Sequence, residues 1–76
     1  MPNRVFNWTF DDVVRVLKNN DFKLNHIEGS HYYYVGRAGG SFRQVSIPYH
    51  GSKSLKPRTL KGIILQSGIS KTDWLK

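Results

Sequence analysis

Apolar side chains first recur at helical spacing in residues 9–19. One face of such a helix carries Phe10, Val13, Val14, Val16 and Leu17. Thr9 lies just before this stripe and Asp12 follows it by three positions, which is the pattern of a capping box. Asn19 and Asn20 are residues typical of a helix end. The pattern therefore predicts a helix that Thr9 caps, that buries its apolar stripe in the core and that ends at about Asn19.

Three stretches then have the composition of β-strands, at residues 22–27, 31–35 and 42–47. In the first, Phe22 and Leu24 alternate with polar residues, which predicts a short strand with one buried face. Successive residues of a strand point to opposite faces, so Tyr33 must face away from Tyr32 and Tyr34. At least one of these tyrosines is expected in the core, and an exposed one could stack on a nucleic-acid base.

The residues between these stretches favour tight turns. Gly29-Ser30 separates the first two, and Ala38-Gly39-Gly40 closes a second hairpin. Pro48 ends the third strand, because proline cannot donate a hydrogen bond to the ladder.

After a polar loop at residues 49–56, Pro57 stands where the first residue of a helix belongs, and Gly68 is its stop signal. The apolar stripe of this helix is Leu60, Ile63, Ile64 and Ser67. Gly62 is unfavourable inside a helix, and it indicates either close packing on the sheet or nothing. Ser70 and Asp73 then cap a single turn that carries Trp74 and Leu75 back toward the core.

The element order is α-β-β-β-α with a short tail. Three antiparallel strands have one face to bury, and two helices suffice to cover it, so the other face stays in water. The sequence predicts a small α+β domain of the double-stranded-RNA-binding-domain type. Its 76 residues leave room for one domain, 1–76, with a core from about 9 to 75.

The composition of the chain excludes several classes of site and of protein. The chain has no cysteine, which excludes disulfides and thiolate metal sites and favours a cytoplasmic setting. No apolar run approaches the roughly 20 residues that span a bilayer. Met1 to Trp8 lacks the pattern of a secretory signal. We therefore expect neither a membrane partner nor a small-molecule cofactor.

The net charge of +7 is concentrated in one part of the chain. Residues 29–72 contain seven lysines and arginines and no acidic residue. A field of one sign suits a polyanion, and aromatic residues are interleaved with the bases. Nucleic acid is therefore favoured over a merely solvated basic surface.

Histidine is the residue type that remains as a candidate for catalysis. His31 follows Gly29-Ser30 at a strand entry, where a glycine lets a ligand approach the backbone. A histidine can move a proton during phosphodiester cleavage, and RNA supplies its own 2′-hydroxyl nucleophile. From the residues alone, a plain strand histidine is the simpler interpretation of His31. His50 could contact phosphate or hold its loop, and His26 is expected to be structural or on the surface.

Three motifs at these separations resemble the HicA toxin family, the YcfA-like mRNA interferases. They are Gly29-Ser30-His31, Pro48-Tyr49-His50 and the run from Leu55 to Leu60, LKPRTL. The resemblance extends from Phe10 to Leu75. The family often has a second histidine where this chain has Tyr32, and a glycine where it has Arg58.

The resemblance implies ribosome-independent cleavage of mRNA without a metal, and control by a HicB-type antitoxin that covers the active site. The family's catalytic histidine matches His31, and its preceding glycine matches Gly29. We therefore predict a toxin endoribonuclease with His31 as general acid or base. The predicted substrate-binding residues are Gly29, Ser30, His50, Lys53, Lys56 and Arg58.

A second group must complete the proton transfers, and the sequence leaves His50, a tyrosine or water open. Two other functions also stay open. One is a non-catalytic RNA-binding module of the same fold, and the other is an interaction domain whose basic face meets an acidic protein.

Overall fold

A computed structural model describes residues 7–74. Its elements are helix α1 (Phe10–Asn19), strands β1 (Lys23–Glu28), β2 (His31–Ala38) and β3 (Ser41–Pro48), helix α2 (Pro57–Ser67) and the single turn α3 (Lys71–Trp74). The predicted α+β class and the α-β-β-β-α order are confirmed. Residues 1–6 and Leu75, on which the sequence also made predictions, lie outside the described part.

Helix α1 begins with the predicted capping box. The backbone N–H of Thr9 donates to the Asp12 carboxylate at 3.0 Å, and the Asp12 N–H donates to the Thr9 hydroxyl at 3.4 Å. These two bonds satisfy N–H groups that the first turn of a helix leaves without partners. The helix ends at Asn20, whose side-chain amide donates to the Val16 carbonyl at 2.9 Å.

The sheet has the order β1-β2-β3, with each strand antiparallel to its neighbour along the chain. Both connections are two-residue turns. Gly39 and Gly40 have φ of +62° and +79°, which a type I′ turn requires and glycine supplies without steric cost. Gly29 has φ of +59° in the first turn.

The two faces of the sheet differ in what covers them. Tyr34, Val45 and Ile47 are buried on the side of the helices, and Tyr32 packs against them. The alternate residues lie on the opposite side, which we call the open face. Its members are Lys23, His26, Glu28, His31, Tyr33, Val35, Arg37, Phe42, Gln44, Ser46 and Pro48. The prediction that the sheet has one buried side, with Tyr33 opposite Tyr32 and Tyr34, agrees with this register.

The prediction of a buried face on the first strand was wrong. All six residues of β1 are exposed, and Leu24 has 46% of its surface accessible. Phe22 is buried, but it precedes the strand. Strand β1 forms one edge of the sheet, and its register shifts between Leu24 and His26, so its apolar side chains extend past the helices.

The core draws on every described element except β1. Trp8 and Trp74 are buried in it with ring centroids 5.8 Å apart, so the turn α3 closes the core as predicted for Trp74. Among the described residues, Ser67 is the one buried polar residue of the core. Its hydroxyl donates to the Ile64 carbonyl at 2.7 Å and accepts from the Ile69 N–H at 3.1 Å.

Close backbone packing occurs at Gly36. A Cβ built on Gly36 would lie 2.6 Å from the ring of Phe22, so only glycine fits beneath that ring. A Cβ on Gly62 would meet no atom within 4 Å apart from its own helix. The alternative that Gly62 packs closely on the sheet is therefore wrong.

Helix α2 ends at Gly68, whose φ is +70°. The guanidinium of Arg43 on β3 lies against this residue, and a Cβ there would come within 2.8 Å of Arg43 Nε. Nε is buried and has no hydrogen-bond partner among the described residues. The cation faces the end of a helix where carbonyl groups carry partial negative charge, which favours its position. No helix within residues 7–74 has the length and apolar character needed to cross a membrane.

Substitution by alanine should change the stability of the protein in opposite directions at Gly62 and at Gly36. Gly62→Ala should raise the free energy of unfolding by about 1 kcal/mol, because it removes the entropic cost of a helical glycine and meets no neighbour. Gly36→Ala should lower it, because the methyl group displaces Phe22. Urea unfolding of both variants measures the difference. A loss of stability in Gly62→Ala would show that the helix does not tolerate a side chain there.

Candidate active site

The β1–β2 hairpin positions His31. The two-residue turn Gly29-Ser30 brings Glu28 and His31 into direct cross-strand register. Both side chains lie on the open face, and both residues are exposed. Cβ atoms of such pairs are about 5 Å apart. A histidine and a carboxylate thus stand side by side at one end of the sheet.

A second segment meets this hairpin from β3. His31 is in register with Pro48, and the Tyr49 N–H donates to the Ser30 carbonyl at 2.7 Å. This hydrogen bond ties the first turn to the loop that follows β3. The structure therefore brings Gly29, Ser30 and His31 to the same end of the sheet as the segment that contains His50.

The β3–α2 loop, residues 49–56, is held at both ends. At its start, the Tyr49 ring meets Phe10 edge-to-face at a centroid distance of 4.9 Å, and Tyr32 lies 4.9 Å from the same ring of Phe10. At its end, the Leu55 N–H donates to the Trp8 carbonyl at 2.7 Å, and the Leu55 side chain is buried. These anchors fix where the exposed middle of the loop can lie.

The predicted basic residues follow one another from this loop into α2. The Lys53 N–H donates to the His50 carbonyl at 3.3 Å, so these two residues share a turn. Lys56 is the N-cap residue of α2, and Arg58 lies in its first turn. All three cations are exposed, and that first turn has no acidic residue. Their charges add to the partial positive charge of the helix N-terminus.

Sequence reasoning missed Glu28. It is the last acidic residue before the basic part of the chain, and the predicted Gly29-Ser30 turn already implied that it pairs with His31. The signal was available because the residues that flank a two-residue hairpin turn are always opposite each other. His26 was expected to be structural or on the surface, and it lies on the surface. Its ring stacks on Tyr33 with centroids 4.4 Å apart.

Tyr34 lies on the helix side of β2, three residues along the strand from His31. Burial raises the pKa of its phenol, and the neighbouring Tyr32 and Asp11 add to the effect. It therefore stays neutral and serves packing. Within residues 7–74, no three histidine, aspartate or glutamate side chains come together as metal ligands would.

Residues 10–69 match a family model described as HicA toxin of bacterial toxin–antitoxin. The matched region includes the hairpin, the β3–α2 loop and all of α2. No curated protein and no solved structure matches the chain significantly.

The raised pKa of Tyr34 predicts how stability depends on pH. An unfolded chain releases its tyrosine protons near pH 10, whereas the folded chain retains that of Tyr34 to higher pH. The free energy of unfolding should therefore fall as the pH rises above about 10. Urea unfolding across this range should give a shallower decline for Tyr34→Phe. Tyr33→Phe, the same deletion on the open face, is the control, and identical slopes for Tyr34→Phe and wild type would contradict the prediction.

Proposed function

Because the chain belongs to the HicA family, the toxins of bacterial toxin–antitoxin systems, we propose that it is an endoribonuclease that cuts mRNA. The observation that carries this proposal is the exposed pair of Glu28 and His31, at the end of the sheet where the cation-bearing β3–α2 loop begins. A carboxylate and an imidazole at this separation can take up one proton and release another during phosphodiester cleavage.

The reaction that this pair supports is an internal transesterification. Glu28 accepts the proton of the 2′-hydroxyl, and the 2′-oxygen attacks the adjacent phosphorus. The bond from phosphorus to the 5′-oxygen breaks, and protonated His31 donates its proton to that oxygen. The products are a 2′,3′-cyclic phosphate and a free 5′-hydroxyl. RNA contributes the nucleophile, so the protein has only to move protons and stabilise charge.

The scissile phosphate is held by groups around the hairpin. A Cβ on Gly29 would meet no atom within 4 Å, so the turn leaves space for an RNA backbone. Ser30 follows Gly29 in the turn, and His50 comes directly after Tyr49, whose N–H donates to the Ser30 carbonyl. Lys53, Lys56 and Arg58 attract and position phosphate groups, and the charge that they supply is most valuable in the transition state.

The partner of this toxin is an antitoxin, and we propose that it is of the HicB type. A protein that covers the hairpin and the adjoining cations would block access of RNA to His31. The basic surface there suits an acidic partner. An mRNA substrate also places the activity in the cytoplasm.

His31→Ala tests the assignment of the histidine. The variant should cleave a long mRNA at least 100-fold more slowly than wild type in excess EDTA, because it lacks the proton donor. Circular dichroism checks that the variant is folded, and Leu65→Ala on α2 is a surface control that should cleave at the wild-type rate.

Full activity of His31→Ala would overturn the proposal. If neither wild type nor variant cleaves and both bind RNA equally, the chain is the non-catalytic RNA-binding module.

Glu28→Gln tests the second proton-transfer group. The amide keeps the size of the side chain but cannot accept a proton, so the rate should fall about 100-fold. Asp21→Asn removes the same charge seven residues earlier, before β1 begins, and controls for the change in net charge. Equal rates for both variants would reassign the role to His50.

A further inference from the structure

The open face of the sheet has features that neither the fold nor the catalytic pair requires. Phe42 projects from β3 with 64% of its surface exposed, and among the described large apolar residues only Leu65, at 65%, has a larger exposed fraction. Strands β2 and β3 extend from this residue to His31, so the face is about 20 Å long. No described helix packs over it.

A second aromatic group lies in the middle of this face. The rings of His26 and Tyr33 are stacked, with an interplanar angle of 4° and centroids 4.4 Å apart. The Asn25 side-chain oxygen lies 2.6 Å from Nδ1 of His26, which fixes the orientation of that ring. The pair is therefore a preformed flat surface rather than two independently rotating side chains.

The charges on the face are those that suit a polyanion. Lys23 and Arg37 are exposed there, and Arg37 stands opposite Phe42 in the register. Glu28 is the one acidic residue of the face, and it lies at the catalytic end. Flat aromatic groups with cations beside them are typical of surfaces that bind single-stranded nucleic acid by stacking its bases.

We propose that the open face binds a single-stranded segment of RNA, with bases stacked on Phe42 and on the His26–Tyr33 pair. This inference rests on the proposed function and gives the route by which its substrate reaches His31. Tyr33 and His31 are two residues apart on the same face of β2, so about 7 Å separates them along the strand. A base seated at Tyr33 therefore brings its neighbouring phosphodiester to the catalytic pair.

The proposal also predicts that the substrate is single-stranded. In a duplex the faces of the bases are already stacked on one another, so they are not available to side chains on a sheet. Cations at the α2 N-terminus can contact either form, because both have phosphates. The open face therefore selects for unpaired RNA.

The test measures binding separately from cleavage. A fluorescent 12-nucleotide 2′-O-methyl RNA has no free 2′-hydroxyl and cannot be cut, so its affinity is measurable by anisotropy with the active protein. Phe42→Leu and Tyr33→Leu keep an apolar side chain but remove the ring, and each should weaken binding about 5- to 100-fold. Leu65→Ala is the matched control, since Leu65 is 65% exposed on α2.

Phe42→Trp provides a second readout. The variant should retain affinity, and its new exposed indole should be quenched by the single strand but not by a duplex of the same length. The native tryptophans, Trp8 and Trp74, are buried and should contribute little to this change.

Wild-type affinity of both leucine variants would overturn the proposal. An equal loss of affinity for single-stranded and double-stranded RNA would also overturn it. So would leucine variants that bind RNA as wild type does and bind only the antitoxin more weakly, because the face would then be a protein interface. If the leucine variants lose affinity while His31→Ala still cleaves RNA, the stacking face stands and the catalytic assignment fails.

Discussion

The register of β2 is the constraint on which the rest of the structure depends. Its residues alternate between Tyr32 and Tyr34, which face the core, and His31 and Tyr33, which face the opposite side. A slip of one residue would exchange the two sets, exposing the tyrosines of the core and burying the histidine. The two-residue turn at Gly29 prevents this slip from one side, and the hydrogen bond from the Tyr49 N–H to the Ser30 carbonyl restrains the same end of the strand. The same few backbone bonds therefore contribute to stability and hold the proposed catalytic histidine on the open face.

Local signals predicted most of the fold because each of them acts within a few residues. The capping box at Thr9, the Gly39-Gly40 turn and the stop at Gly68 are all satisfied by neighbours in the chain. The predictions that were wrong concern contacts between segments that are distant in sequence. Whether a strand is covered depends on where the helices lie, so the exposure of β1 could not be read from its alternating pattern. The close approach of Phe22 to Gly36 is likewise visible only after folding.

The candidate site was predictable in part, for the same reason. His31 and its turn form one continuous motif, whereas the pairing with Glu28 required combining the turn with the register. The basic residues also proved unequal. Arg43 contributes to the charge of the acid-free part of the chain, yet it lies against Gly68 at the C-terminal end of α2. By composition alone Arg43 is available to bind phosphate, although in the fold its side chain is packed against Gly68. The exposed cations of the loop, of α2, of α3 and of the open face remain available to a polyanion.

The two hairpins also affect how easily the sheet can form. Every strand pairs with the strand next to it in sequence, and both connections have two residues, so the sheet needs no long loop to close. Pairing between strands that are neighbours in sequence lowers the entropic cost of closing the sheet, which favours fast folding. Glu28 and His31 flank the first two-residue turn, so closing that hairpin is sufficient to bring them together. A newly made chain therefore needs only this local segment in place to form the proposed catalytic pair. For the proposed toxin, restraint accordingly requires antitoxin that is already present when the hairpin closes.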